Sequence, residues 1–369
     1  MSNAFRYAVY GTGRIGRVHA DIVRSQGCDV VAVGDDVAAA AEIARKELDI
    51  GGDAVFTDAE EMAAAVTDDV DGVIIASHTR DHARHAAAFL AEGLNVYVEK
   101  PITDDLAESF DLISSLDPDG PDVQIGLQRR FDPALCHARS LIEEGHLGEI
   151  REIRSALRDQ FPPPETYQSR GLIIDMGIHV ADEVRFLVDE FPLEIWASLH
   201  RTVGYRSNVD EGGDTAFVSM TFPSGAIGRL DLSRTHASGY NNETYVIGTE
   251  GTLHVGRFAG YPGPVPVELW TSAGELHPAS QVFEMAQPEG DYPEFLPRFD
   301  QAYRLAHEDF REALADKRPF RVTANDALDA QVLVEAAHRS ALAGRSRVTV
   351  LRPSDIDAYR ATCEASGLL

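Results

Sequence analysis

A short apolar run at residues 7–10 leads directly into the glycine-rich sequence GTGRIG, and this junction constrains the fold more than any other feature of the chain. Further apolar, β-branched runs follow at 30–33, 72–76 and 96–98, separated by alanine-rich stretches with helical spacing. Strands that alternate with helices are typical of βαβ units. The first third of the chain is therefore predicted to form a parallel sheet flanked by helices.

The spacing of the glycines in GTGRIG predicts a dinucleotide-binding turn. Gly11 permits a tight turn, Gly13 lets the backbone approach a pyrophosphate, and Gly16 allows the helix to pack closely. The amide groups at the start of that helix favour phosphate charge, so we expect Arg14 and Ile15 to contact the cofactor as well.

Two acidic residues at the end of the second predicted strand indicate which nicotinamide cofactor is bound. Asp35 lies 24 residues after Gly11, where a carboxylate can accept hydrogen bonds from ribose hydroxyls. With Asp36 beside it, a 2′-phosphate would meet two negative charges, so we predict NAD over NADP. Alternatively, Asp36 caps the following helix.

Composition excludes several classes of function. The chain has 60 acidic and 33 basic side chains and a net charge of -27, which would repel nucleic acids and anionic membrane surfaces. Its three cysteines are far apart and show no metal-type pairing, so we predict neither a disulfide framework nor a metal site. The N-terminus lacks the pattern of a signal peptide, and no apolar run reaches membrane length. We expect a cytoplasmic protein.

A length of 369 residues favours two domains. The turn-rich sequence DPDGPD at 117–122 lies near the expected boundary, and from 194 to 270 alternating strands joined by tight turns predict an antiparallel sheet. The fold class is therefore α/β, with an N-terminal Rossmann domain and a C-terminal α/β domain that carries a large, mostly antiparallel open sheet. The predicted division is 1–124 for the NAD-binding domain, 125–351 for substrate binding and oligomerisation, and 352–369 for a tail.

Two further motifs carry candidate catalytic groups. Lys100, in the sequence EKP, follows the fourth predicted strand, and ligands gather at strand ends of such sheets. In DMGIHVAD, helical spacing would place Asp175, His179 and Asp182 on one face. A histidine suits proton transfer during alcohol oxidation. The same trio could instead hold a metal, or be a buried histidine satisfied by a local carboxylate.

Taken in order, GTGRIG, EKP and the Asp-x-x-x-His helix resemble the Gfo/Idh/MocA oxidoreductases, most closely the inositol 2-dehydrogenase-like members. The resemblance implies that Lys100 polarises the reacting oxygen, Asp175 positions the substrate and His179 acts as acid and base. It also implies a cis peptide bond after Lys100 and a homotetramer or homodimer assembled through the open sheet. Further polyol contacts are implied for Arg130, Asp182 and Tyr240.

The remaining predicted site residues extend these motifs. We assign cofactor binding also to Ser77, His78, His82, Glu99, Lys100 and Gln128, and substrate binding also to Lys100 and Arg158. Arg170 stands where relatives carry glycine and could recognise an anionic group on a sugar, or be an ordinary surface arginine. Val180 stands where close inositol relatives carry aspartate, which leaves the substrate open.

Three classes of function remain compatible with these motifs. The first is NAD-dependent oxidation of a secondary hydroxyl on a cyclic polyol or sugar. The second is redox-neutral glycoside cleavage through a transient keto-sugar, and the third is a non-catalytic sensor. Retention of the Lys100, Asp175 and His179 set favours the first.

Overall fold

The structure is a computed structural model that describes residues 4–163, 169–202, 213–257, 263–286 and 293–369. The described part of the chain forms two compact units. The first comprises residues 1–127 and 303–328, and the second comprises 128–302 and 329–369.

The first unit contains a six-stranded, wholly parallel sheet in the order β3-β2-β1-β4-β5-β6. This order reverses direction at the first strand, as in dinucleotide-binding folds. The predicted Rossmann domain is thus confirmed. Its strands are β1 Arg6–Tyr10, β2 Asp29–Gly34, β3 Val55–Phe56, β4 Gly72–Ile75, β5 Val96–Val98 and β6 Val123–Ile125, and the helices between them are α1 Arg14–Ser25, α2 Ala38–Leu48, α3 Ala59–Val66, α4 His82–Ala91 and α5 Leu106–Ser115.

The central strands of this sheet are apolar on both sides, because helices cover both faces. Every residue of β4 and β5 is buried. All strands run in one direction, so their carboxyl ends meet at one edge of the sheet. The glycine turn, Asp35, Ser77 and Lys100 each follow one of these ends.

The second unit contains a nine-stranded sheet among the described residues, in the order β14-β13-β12-β11-β7-β10-β9-β8-β15. All neighbouring strands in it are antiparallel except the β7 and β10 pair. The predicted mostly antiparallel sheet is confirmed. Its strands are β7 Ile150–Arg158, β8 Glu194–His200, β9 Thr215–Thr221, β10 Ile227–Ser233, β11 Asn241–Gly248, β12 Gly251–Gly256, β13 Val265–Thr271, β14 Gln281–Phe283 and β15 Val348–Thr349.

Among the described residues, three helices of the second unit pack on its sheet: α6 Pro133–Glu143 on β12 to β14, and α7 Leu172–Asp175 and α8 Gly177–Val188 on β7, β9 and β10. The same unit contains α11 Ile356–Ala365, and α9 Leu296–Asp316 and α10 Ala324–Leu342 each have residues in both units. Strand alternation gives the sheet a buried inner row, such as Leu230 and Leu232 on β10, and an outer row that stays partly exposed, such as Ile227 and Arg229.

The observed units differ from the sequence-based division in two respects. Residues 303–328 belong to the first unit, although the sequence assigned them to the second. Aromatic contacts explain the difference: Phe310 stacks on Tyr7, and Tyr303 packs edge-on against His19. The segment predicted as a tail, 352–369, carries α11 and belongs to the second unit, where its Tyr359 is buried. Among the described residues, no helix is long and apolar enough to cross a bilayer.

Candidate functional site

The glycine turn is closely packed at the first and third of its glycines. Gly11 adopts a φ of 92°, and a Cβ there would lie 2.2 Å from the backbone nitrogen of Ser77. A Cβ on Gly16 would lie 1.9 Å from the carbonyl oxygen of Gly11. These two glycines are therefore required by packing inside the protein.

Gly13 is different, because a Cβ built on it meets nothing within 4 Å. It caps the N-terminus of α1 without a side-chain hydrogen bond, and no acidic residue lies in the first turn. Its φ of -64° is open to any residue. Packing within the chain does not explain a glycine here, whereas an approaching phosphate would. Arg14 beside it is exposed, and Ile15 is partly exposed.

Asp35 braces this turn. One oxygen of its carboxylate accepts from the Thr12 backbone N–H at 2.7 Å, and the other accepts from the Val37 N–H at 2.9 Å. A carboxylate has about four acceptor positions. A third bond comes from the Thr12 hydroxyl at 3.1 Å, so the carboxylate can hold the loop and still accept a bond from a ribose hydroxyl.

Asp36 does not cap α2, so that alternative is wrong. The N-cap of the helix is Val37, and it receives no side-chain cap. The Asp36 carboxylate instead accepts a hydrogen bond of 2.6 Å from the buried Tyr10 hydroxyl. It also lies 3.7 Å from the guanidinium of Arg84 and 3.5 Å from the ring of His85.

The ends of β4 and β5 are joined by His82. Its Nδ1 lies 2.9 Å from the carbonyl oxygen of Pro101, and its Nε2 lies 3.1 Å from that of Ser77. Burial lowers the pKa of His82, although both backbone carbonyls oppose that effect. The bond between Lys100 and Pro101 is cis, as expected. His82 thus links the segments that follow β4 and β5, and His78 nearby is exposed.

The tautomer of His85 follows from its neighbours. Arg84 can only donate, and its Nη2 lies 2.8 Å from His85 Nε2, so that nitrogen must accept. The ring proton is then on Nδ1 and is donated to Ser77 Oγ at 2.7 Å. Burial first, then the charge of Arg84, lower the pKa of His85 to about 4. His85 is therefore a neutral donor that orients the Ser77 hydroxyl.

Glu99 connects Lys100 to a buried polar network. Its carboxylate lies 2.9 Å from His19 Nε2 and accepts from the Lys100 backbone N–H at 3.2 Å. His19 Nδ1 in turn lies 2.8 Å from His307 Nε2. Burial favours the neutral acid, but the hydrogen bond from His19 and the charges of His19 and Lys100 bring the pKa of Glu99 below its ordinary value. Glu99 therefore connects the backbone of Lys100 to the buried histidines.

In the second unit, Asp175 and His179 lie on two successive helices. The predicted single helix is interrupted at Met176, with α7 ending at Asp175 and α8 beginning at Gly177. In the run from 171 to 184, only Asp175 and His179 are not buried. Asp175 and His179 are therefore the candidate reactive groups of this run.

Asp182 and Tyr240, predicted to contact the polyol, are both buried. Asp182 is 1% exposed and binds Arg130 through three contacts of 2.7 to 3.0 Å. This pair satisfies the buried charge. Burial raises the pKa of Tyr240 well above its ordinary value. Gln128 is also buried, and its Oε1 has no hydrogen-bond partner among the described residues.

Arg158 lies on the outer face of the second sheet, opposite α8. Its Nη1 donates to Asn241 Oδ1 at 2.6 Å, and its Nη2 lies 3.7 Å from Asp231. Ser155, on the inward row of the same strand, instead donates to Glu183 on α8. The predicted grouping of Arg158 with Asp175 and His179 is thus wrong, because strand alternation directs it to the other face.

Arg170 is bound to a carboxylate of its own unit. Its guanidinium forms an ion pair with the buried Glu335, and the second contact is 3.0 Å long. An open cavity of about 510 Å³ lies beside the pair. The interpretation of Arg170 as a receptor for anionic sugars therefore loses its support, since Glu335 already neutralises its charge. Val180 is fully buried.

Sequence reasoning missed Arg234. It is 3% exposed, and its Nη2 donates to Asp175 Oδ2 at 2.9 Å. The signal was present in the alternation of Leu230, Leu232 and Arg234 along β10, which places a charged residue in an apolar inward row. Such a residue requires a buried partner.

The residues of the first unit fit a bound dinucleotide. Gly13 leaves space where a Cβ would otherwise stand, the α1 amides lack a side-chain cap, and Asp35 retains acceptor capacity. These groups would hold a pyrophosphate and an adenosine ribose.

Comparisons with known proteins agree with this arrangement. Residues 5–127 match a family model described as an oxidoreductase family with an NAD-binding Rossmann fold, and residues 136–254 match the GFO/IDH/MocA C-terminal domain. Inositol 2-dehydrogenase of Rhizobium meliloti (strain 1021) is 31% identical over 91% of this chain and 96% of its own length. The scyllo-inositol 2-dehydrogenase (NAD(+)) of Bacillus subtilis (strain 168) is 31% identical over 89% of this chain and 91% of its own.

A solved structure shows the same fold. Scyllo-inositol dehydrogenase from Lactobacillus casei, with bound NAD(H) and scyllo-inositol, superposes with a TM-score of 0.77 at 25% identity. The match covers 94% of this chain and 99% of that one.

Proposed function

The chain belongs to the GFO/IDH/MocA family of NAD-dependent oxidoreductases, and from that premise we propose that it oxidises a secondary hydroxyl of a cyclic, inositol-like polyol. The observation that carries the proposal is the exposure of Asp175 and His179 in a run that is otherwise buried from 171 to 184. Both side chains are partly exposed, whereas their neighbours in this run are buried in the core.

His179 is the proposed acid and base. Oxidation of an alcohol requires a group that takes the hydroxyl proton while NAD accepts a hydride from the same carbon. An imidazole whose ordinary pKa is near 6.5 can accept that proton at neutral pH. Asp175, four residues earlier, orients the substrate by accepting from a hydroxyl group.

Lys100 supplies the positive charge. Its ammonium group favours the negative charge that develops on the reacting oxygen. The Glu99 carboxylate accepts a hydrogen bond from the Lys100 backbone N–H and is itself held by His19. This support limits the freedom of the turn that carries the lysine.

A neutral polyol is the favoured substrate class. The two relatives that are 31% identical are both named for inositol dehydrogenation. Arg170 is paired with Glu335 and offers no obvious receptor for an anionic group. Cleavage of an anionic glycoside therefore has less support than net oxidation.

The assay is a screen of inositols and neutral sugars with NAD, in which ketone and NADH are both quantified. We expect one NADH per ketone formed, and a rate lower by about 100-fold or more from His179→Ala at the same enzyme concentration. Release of an aglycone from a glycoside with no accumulation of NADH would instead establish redox-neutral cleavage.

We further propose that a second copy of this chain covers the outer face of the nine-stranded sheet. Trp196, Phe217, Ile227, Tyr245 and Trp270 are 37% to 50% exposed on this face. Single exposed apolar residues are ordinary, but five large ones on one face of one sheet favour an interface.

Light scattering after size-exclusion chromatography tests this proposal. Phe217→Asp should shift the assembly towards monomer, whereas Ile43→Asp, at a residue 51% exposed on α2, should not. A monomeric wild type, or an unchanged mass for Phe217→Asp, would contradict it.

A further inference from the structure

Arg234 extends the inward row of β10 beyond the end of the strand. Leu230 and Leu232 are each 1% exposed, and Arg234 is 3% exposed. The inner face of the sheet is the side on which α7 and α8 pack, since Gly177 at the start of α8 faces Leu232. The alternation therefore aims the Arg234 side chain at the helix pair that carries Asp175 and His179.

The backbone of Arg234 is held in place by Asp214. Its N–H donates to the carbonyl oxygen of Asp214 at 2.9 Å. The Asp214 carboxylate is fully buried and accepts from the Thr202 N–H at 2.7 Å and from the Thr235 hydroxyl at 3.4 Å. Asp214 and Thr235, which lie next to Arg234, are thus held by hydrogen bonds. They fix the position of the backbone from which the Arg234 side chain extends.

The contact with Asp175 joins a buried cation to a partly exposed anion. The side chain of Arg234 is 4% exposed and that of Asp175 is 14% exposed, with Nη2 and Oδ2 2.9 Å apart. A guanidinium this deeply buried requires counter-charge, and removal of one partner from such a pair is costly. The pair therefore resists rearrangement, and one oxygen of Asp175 is directed at Arg234.

We propose that Arg234 is a positioning residue for Asp175, holding its carboxylate in the orientation from which it accepts a substrate hydroxyl. The inference rests on the proposed function, because it assigns Arg234 a role in that same site. In this role Arg234 acts through Asp175. Misplacement of a binding group by about 1 Å can lower the rate by about 100-fold.

Three variants test the role. Arg234→Gln keeps a hydrogen-bond donor but removes the charge, and should lower kcat with the best polyol by roughly 10 to 100-fold while the Kd for NAD stays unchanged. Arg234→Lys restores the charge without the planar fork, so it should recover part of that loss. In an Asp175→Asn background, Arg234→Gln should cause no further fall in kcat.

The matched control is Arg352→Gln. Arg352 donates at 2.7 Å to both oxygens of the buried Asp329 in the same unit, away from Asp175. This variant should lower Tm by less than Arg234→Gln does, because Arg352 is 34% exposed and Asp329 keeps Arg185 at 2.6 Å, and it should leave kcat unchanged. A purely structural role for Arg234 would likewise lower Tm without changing kcat.

Two sets of results would overturn the inference. If the wild type oxidises polyols and Arg234→Gln does so at full rate, or if its loss adds fully to that of Asp175→Asn, Arg234 does not position Asp175. Should Arg234→Gln fail to fold, Arg234→Lys decides: a folded lysine variant with wild-type kcat contradicts the need for the planar fork. A wild type that binds NAD but oxidises no polyol refutes the proposed function instead.

Discussion

Gly13 offers a sharp test of the cofactor site, because the structure distinguishes it from Gly16 by one measurable feature. A methyl group added at Gly13 meets nothing within 4 Å, whereas one added at Gly16 lies 1.9 Å from the Gly11 carbonyl oxygen. The same substitution, glycine to alanine, should therefore affect ligand binding at one position and folding at the other.

The expected magnitudes follow from that geometry. At the N-cap, alanine is about 0.5 to 1 kcal/mol worse than glycine, but the lower entropy of the unfolded chain offsets about 0.4 to 1 kcal/mol. Gly13→Ala without ligand should therefore keep its Tm within about 2 °C of the wild type. Overpacking by Gly16→Ala costs about 1 to 3 kcal/mol, which lowers Tm by roughly 2 to 12 °C.

Thermal unfolding with and without NAD is the assay. At a ligand concentration of 100 times Kd, the wild type gains about 2.7 kcal/mol. A methyl group at the closest approach of the pyrophosphate should weaken binding at least tenfold, so Gly13→Ala should gain about 1.4 kcal/mol or less at that same concentration. Wild-type stabilisation of Gly13→Ala by NAD would refute the assignment of the phosphate to this turn.

Three further outcomes are expected. His179→Ala should lower turnover by about 100-fold or more with little change in NAD affinity, and a full-rate variant would exclude His179 as the base. Michaelis constants should favour NAD over NADP because Asp35 and Asp36 oppose a 2′-phosphate, and a preference for NADP would contradict this. The pKa of His85 is lowered to about 4 in the folded state, so the unfolded chain, at about 6.5, binds the extra proton between those values. Stability should therefore be fully present above about pH 6.5 and fall towards pH 4, with a shallower fall in His85→Gln; equal slopes would show that His85 does not titrate this way.

Local sequence signals predicted the first unit well, because its site residues follow strand ends. The glycine turn, Asp35 and Lys100 each come directly after a buried strand, and parallel pairing brings such ends to one edge. The long-range partners were not predictable in this way. His307 lies 288 residues from His19, and a single histidine in a helix gives no indication of its partner.

In the second unit, helical spacing pointed to two of the candidate residues, whereas strand alternation was not used to place the arginines. The spacing identified Asp175 and His179 but not the break at Met176, since the residues there carry no proline and the backbone stays close to helical. Alternation, had it been followed through β7 and β10, would have directed Arg158 outward and Arg234 inward. Ion pairs such as that of Arg170 with Glu335, 165 residues away, depend on packing that no local pattern reveals.

Transfer of deuterium is the most direct test of the central claim that this chain oxidises a carbinol carbon by hydride transfer to NAD. A polyol deuterated at the ring carbons is incubated with enzyme and NAD, and the accumulated NADH and the ketone are analysed by mass spectrometry. The account predicts one deuterium in each NADH and one NADH for each ketone. Turnover with no deuterium in the cofactor would contradict it.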